Sequence, residues 1–456
     1  MRKKSTKYLK PSLLLIGLLA FMLWGMEGTA FAKKTTILSD TNLQETINRA
    51  NAGDTIFLEK GLYQGAITIN KPLAISGEEG AIVAGDGKGN VITITANDVT
   101  LTNLTIQNSG EDHEDSGVYL DKVENVNISA NNLVSVHNGI YLNMGKNNEI
   151  ANNIISSNEG HFSKRGNGIH IFKGEGHTVH DNTIKEVQDG IYFDFAGKVD
   201  VAENVIRDSR YGMHFMFSEN ISAIENTVSG NITGLMVMDS ARLDFRKNLI
   251  HHQFHFRGFG VLIYDSQNII LSGNEITQNS VGISFEKARD TEVSRNIIAA
   301  NQVGLEFRHD NQKNLFYENN FIANIVSSTI GKEDLHLDNG VKGNYWDDYS
   351  SHDITGDGIG ELPYKAGSLY DNLLKVQPLW QFYFESPAMQ MWSKAESMFP
   401  SMGTVDVYDN KPLIKPVKLA ANEQEAREGS GILTLLLGFF FIGISFFTIV
   451  KGRSYI

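Results

Sequence analysis

Two stretches 22 residues apart, Met-His-Phe-Met ending at Met216 and Leu-Met-Val-Met ending at Met238, bring His214, Met216, Met236 and Met238 into matching positions. Thioether and imidazole donors without thiolate favour Cu(I), a soft ion, over zinc or calcium. The chain has no cysteine, so disulfides, iron–sulfur clusters and thiolate metal sites are excluded, and any soft metal must be held by its 12 methionines and 13 histidines. His170, His161, His251, His252 and His255 are secondary metal candidates. Met389, Met391, Trp392, Met398 and Met402 form a further Met-rich stretch, suited to copper or to docking a partner. The plainer reading is a covered face on which Met serves as adaptable filler. Met213 reads as core, and His137, His177, His180 and His309 as surface or turn histidines. Asp194, Asp239 and Asp265 supply carboxylates such as a glycosidase pairs, but they are scattered over non-adjacent repeats and read as exposed acids. The run Asp353-Ile354-Thr355-Gly356-Asp357-Gly358 begins like a calcium loop, yet Tyr364 stands where the bidentate Glu belongs, so calcium is the weaker reading and a turn-rich cap the default.

The elements that position these side chains are legible as a repeat. Glycines recur at Gly117, Gly139, Gly168, Gly190, Gly212, Gly234, Gly260, Gly282 and Gly304, with intervals of 22 interrupted by 29 and 26. A fixed period of this length marks a solenoid, whose units bury their apolar faces only by stacking. After each glycine the residues at +1 and +3 are apolar, as in Ile191/Phe193 and Leu235/Val237, which is the period of a strand. Asn182, Asn204, Asn226, Asn248, Asn274 and Asn296 precede most of the glycines and predict an internal asparagine ladder. The expected fold is all-β: a right-handed parallel β-helix of about 14 turns, roughly 65 Å long. Thr41 to Ala50 predicts an N-terminal helical cap, with Thr41 and Gln44 as a capping box.

With +1 and +3 inward, +2 and +4 point out. The outward pairs run Tyr141/Asn143, His170/Phe172, Tyr192/Asp194, His214/Met216, Met236/Met238, Leu262/Tyr264, Ser284/Glu286 and Glu306/Arg308. The first and last read as ordinary surface, and the middle ones as an aromatic, Met and His band. On stacked turns, the first four candidates form a square about 4.8 by 6.7 Å. Segments 156–167 and 251–259 lengthen the repeat before flanking strands and carry His161, His251, His252 and His255, which can close over the square or pass metal to it.

The ends place the body outside the cytoplasm. Basic residues Arg2 to Lys10, an apolar core from Leu13 to Trp24 and Ala30-Phe31-Ala32 read as a signal peptide over residues 1–32. The apolar run Gly431 to Val450, followed by Lys451 and Arg453, reads as a transmembrane helix with its C-terminus in the cytoplasm. The expected organisation is therefore 1–32 signal peptide, 33–364 capped β-helix, 365–428 capping or partner-docking segment and linker, and 429–451 anchor. A net charge of -13 without a basic stripe argues against nucleic acid.

The stretch Gly343-Asn344-Tyr345-Trp346-Asp347-Asp348-Tyr349, with Asp353, Thr355-Gly356-Asp357-Gly358-Ile359-Gly360, Leu362-Pro363-Tyr364 and Pro378-Leu379, resembles the closing segment of the NosD family. The resemblance covers roughly residues 35 to 400. It implies a non-enzymatic, exported protein that works with an ABC transporter permease and ATPase and a copper chaperone to mature the copper centres of nitrous oxide reductase. A membrane anchor departs from the family's commonest soluble periplasmic form. The competing readings are a surface polysaccharide lyase, hydrolase or carbohydrate-binding β-helix, and a purely structural adhesin.

Overall fold

The computed structural model describes residues 33–39, 41–158, 160–253, 255, 258–330, 334–366, 391 and 407–418. The expected signal peptide, the apolar run 431–450, and Met389, Trp392, Met398 and Met402 lie outside the described residues.

Short strands recur three to a coil and stack into three parallel sheets of 14, 12 and 13 strands. The sheet that matters most here contains Ile169–Phe172, Asp189–Asp194, Tyr211–Met216, Thr233–Met238 and Phe259–Tyr264. Its register follows the repeat: Ile191 pairs with Met213 and Met213 with Leu235, and Phe193, Phe215 and Val237 align in the same way. These inward side chains are fully buried, and Phe193 and Phe215 stack at 4.6 Å between centroids. Met213 is core, as alternation predicts. The recurring glycine has a steric cause. A Cβ on Gly212 would lie 2.6 Å from the Gly234 carbonyl oxygen and 2.3 Å from a Val228 methyl, so neighbouring coils stack here only without a side chain.

The asparagine ladder is present and longer than predicted. Each Oδ1 accepts the backbone N–H of the preceding ladder residue, from Asn131 through Asn153, Asn182, Asn204, Asn226, Asn248, Asn274, Asn296 and Asn319 to Asn344. A second ladder runs through Asn231, Gln253, Asn279, Asn301 and Asn324. Both satisfy backbone groups that the tight corners would otherwise bury unpaired.

At the start, the helix Leu43–Arg49 buries Leu43 and Ile47. Its N-cap is Asn42, whose Oδ1 accepts the Glu45 N–H at 3.0 Å, and not the predicted Thr41/Gln44 box. Gln44 instead bonds to both backbone groups of Thr68, on the outermost strand of the second sheet. At the far end Trp346 stacks between Phe321 and Tyr364, and Tyr364–Lys365 pairs antiparallel with Tyr408–Asp409. Asp353 accepts the backbone N–H groups of Gly356, Asp357 and Gly358, so its carboxylate closes a turn.

Candidate functional site

Parallel register converts the sequence spacing into two outward columns on one sheet. The first reads Tyr119, Tyr141, His170, Tyr192, His214, Met236, Leu262. The second reads Asn143, Phe172, Asp194, Met216, Met238, Tyr264. His214 pairs with Met236 and Met216 with Met238, so the four residues of the predicted square are brought together.

The rings of the first column form one continuous stack. Centroids are 5.3 Å apart for Tyr119 and Tyr141, 4.4 Å for Tyr141 and His170, and 4.6 Å for both His170 with Tyr192 and Tyr192 with His214. This column is far less open than strand alternation implies, since Tyr141, His170 and His214 are buried. Tyr141 and Glu306 were expected to be ordinary surface. Tyr141 is buried by the neighbouring rings, and Glu306 is covered while it bonds Ser284 and Arg308. Met216, Met236 and Met238 are half-buried, which leaves the square reachable from solvent.

His214 is held by groups that lie off the repeat's consensus. Its Nδ1 is 2.9 Å from Asp189 Oδ2, and the same carboxylate accepts Arg210 Nε at 2.8 Å and Nη2 at 2.7 Å. Burial alone would raise the Asp189 carboxyl; the hydrogen bonds from His214 and Arg210 and the Arg210 charge outweigh it and hold the group below the ordinary range. An ionised carboxylate accepts only, so His214 carries its proton on Nδ1. In the neutral ring Nε2 then bears the lone pair, and that atom is buried without a hydrogen-bond partner. A ring nitrogen left bare opposite a carboxylate-bound N–H is the usual arrangement of a metal-ligating histidine. The Tyr192 hydroxyl donates to Met216 Sδ at 3.3 Å, which orients that thioether and leaves its second lone pair free.

Among the described residues no group of three or more His, Asp or Glu side chains converges as a metal site, so a site here depends on its thioethers. Of the secondary candidates, the structure places only His170 on this sheet. His161 is exposed and accepts the Ser163 N–H at the one-turn helix Phe162–Lys164. His251 ends a strand of the third sheet and contacts His252 ring to ring; His255 lies exposed in the following loop. Met391 is exposed. Asp239 and Asp265 are exposed acids, as expected, while burial raises the carboxyl of Asp194. His180 lies between Glu149 and Asp181, which raise its pKa, and His177 is a buried turn histidine. Sequence reasoning missed Asp189, Arg210 and His113. Strict alternation puts Asp189 inward with Ile191; Asp189 is the first residue of its strand, directly after the bends at 186–188, and its carboxylate lies beside His214.

A family profile described as "Periplasmic copper-binding protein (NosD)" matches residues 155–351, and one described as "Right handed beta helix region" matches 53–194. The "Probable ABC transporter binding protein NosD" of Stutzerimonas stutzeri is 32% identical over 392 residues, covering 81% of this chain and 89% of that protein. Its counterpart in Pseudomonas aeruginosa is 30% identical, covering 80% and 90%. Among solved structures, the A-module of the Azotobacter vinelandii mannuronan C-5 epimerase AlgE6 aligns with a TM-score of 0.56 at 15% identity, over 64% of this chain and 91% of that one. A family 28 exopolygalacturonase from Yersinia enterocolitica gives 0.56 at 14%, over 68% and 79%. At such identities the structural likeness establishes the right-handed β-helix fold alone.

Proposed function

Because the chain belongs to the NosD family, we propose that it is an exported, non-enzymatic accessory protein that carries Cu(I) during assembly of the copper centres of nitrous oxide reductase. Its partners in this reading are an ABC transporter and a copper chaperone. The family's description as periplasmic and copper-binding, and the relatives' naming as ABC transporter binding proteins, support the location, the cargo and the transporter. The apolar run before Lys451 and Arg453 supports a membrane anchor with a cytoplasmic C-terminus. No helix among the described residues is long and apolar enough to cross a membrane, and that run lies outside them.

The observation that carries the reading is His214: its Nδ1 is fixed by Asp189, its Nε2 is bare, and Met236 lies beside it in register with Met216 and Met238 one step along the strands. Copper is cargo here, held by neutral ligands that bind and release it without proton exchange at sulfur. The test is a Cu(I) competition titration of the exported body against its Met236→Leu/Met238→Leu variant, followed by the copper content of the reductase in cells carrying each. Leucine keeps volume and apolarity, so the fold survives, while affinity is expected to fall about tenfold or more as two soft ligands vanish. Unchanged affinity with a fully loaded reductase would return these methionines to a covered face.

A further inference from the structure

We propose a second Cu(I) site, formed by the imidazoles of His113 and His170, on the same face as the thioether square and N-terminal to it. The proposal rests on the copper-carrying reading and adds a separate point of binding to it.

His170 is only 3% exposed, and its Nε2 is buried with no hydrogen-bond partner. Its Nδ1 lies 3.5 Å from Asn167 Nδ2, at the outer limit of a hydrogen bond and too long to dictate which nitrogen carries the proton. A bare imidazole nitrogen in a core is costly, by about 1–3 kcal/mol. The column offers a cheaper occupant, because Tyr fills the adjacent positions 141 and 192 and stacks there equally well. The exception therefore calls for a ligand.

His113 supplies the opposing donor. It is exposed, and its ring stands edge-on to His170 with centroids 6.5 Å apart and planes at 80°. Two imidazoles in line on one Cu(I), each with a bond of about 2.0 Å and a ring centre about 1.1 Å behind the nitrogen, would have centroids about 6.2 Å apart. Such coordination fixes the lone-pair axis and leaves the ring planes free to cross. Cu(I), with a filled d shell, accepts two ligands in line, so the absence of a three-residue cluster among the described residues is no obstacle.

The two rings are tied through the backbone. Asn138 Nδ2 donates to the His113 carbonyl at 2.8 Å, Asn138 Oδ1 accepts the Asn167 N–H at 2.8 Å, and Asn167 contacts His170. The His113 loop is closed further by Asp115, whose carboxylate accepts the Asp112 N–H. His170 lies two coils from His214, about 10 Å at the usual strand spacing, with Tyr192 between them, so the sites hold separate ions.

The test counts ions. Reduced, untagged protein is titrated with Cu(I) against bathocuproine disulfonate, and bound copper is examined by X-ray absorption. Wild type is expected to bind two ions, His113→Ala one, Met236→Leu/Met238→Leu one, and the triple variant none. His113 is on an exposed loop, and His170→Phe, which keeps the stack, provides a second variant with the same expectation. The ion left in the Met variant should show nitrogen neighbours only, in two-coordinate geometry. If the Met variant loses all copper, or if His113→Ala and His170→Phe each still bind two ions, the second site is wrong and the square is untouched. If instead the Met variant keeps two ions while His113→Ala loses one, the square fails and the histidine pair stands.

Discussion

Replacing Asp189 by Asn tests whether the carboxylate positions His214 for metal or only packs beside it. The side chain accepts three charge-assisted bonds, two from Arg210 and one from His214, and is itself 1% exposed. Asn retains one acceptor oxygen and presents an N–H₂ where a second acceptor stood. Breaking a buried pair by removing one partner costs about 3–5 kcal/mol. Arg210 is 29% exposed and lies over the Tyr211 ring at 4.4 Å, so its stranded charge is partly solvated and a loss at the low end of that range, about 3 kcal/mol, is expected. The effect on copper is distinct. Without a carboxylate on Nδ1 the imidazole loses its fixed tautomer, and loss of such a partner weakens metal binding about 10–100-fold, or about 1.4–2.7 kcal/mol. Thermal unfolding gives the first quantity, Cu(I) competition the second, and the ¹⁵N shifts of His214 report the tautomer. A folded variant with affinity within twofold of wild type would refute the positioning argument, whatever its thermal stability.

Two further outcomes follow from buried groups away from the square. His177 is fully buried, and burial pushes its imidazole down to about 4, whereas an unfolded chain takes up a proton near 6.5. The unfolded state therefore binds the extra proton between those values, and stability falls as pH drops from about 6.5 to about 4, by up to about 3 kcal/mol; His170 acts with the same sign. His177→Asn, which copies Asn148 one coil away, should reduce the acid loss measured by urea unfolding at pH 7 and 4.5, and an identical loss in both proteins would sink the assignment. In the main ladder, Asn226 Oδ1 accepts both the backbone and side-chain N–H of Asn204, while its Nδ2 donates to Val201, Ile224 and Asn248. Asn226→Leu strands several buried polar groups at about 1–3 kcal/mol each, so a loss above about 3 kcal/mol is expected, and a loss below about 1 kcal/mol would mean that the ladder is ornamental.

The repeat was legible because a solenoid writes its geometry into the chain one coil at a time. Glycine spacing gave the period, the alternation at +1 and +3 located the core, and six asparagines were enough to predict a ladder that extends through ten. The same periodicity put His214 beside Met236 without any structure. What it could not convey is whatever departs from the period. Asp189 reaches His214 from the first position of its strand, directly after a bend, and His113 belongs to a loop outside the alternation whose carbonyl is caught by Asn138. The burial of Tyr141 and His170 was likewise invisible, because alternation assigns a side of the sheet and says nothing of how closely rings on that side stack.

The charge balance around the square bears on how tightly copper would be held. A lone carboxylate behind His214 would make the imidazole a stronger donor and attract Cu(I) at close range, favouring retention. Arg210 cancels that charge while bonding to both carboxylate oxygens. Asp189 is thus left to orient the ring with little net field at the metal. The three thioethers are neutral, and Met216 is already shared with the Tyr192 hydroxyl. Every ligand in the set is therefore either uncharged or backed by a neutralised pair, an arrangement in which soft-ligand preference selects the ion and weak electrostatics lets it go. A storage site would be expected to keep its carboxylate unpaired; if copper binds at the square as proposed, the Asp189–Arg210 pair suits a site from which it is passed on.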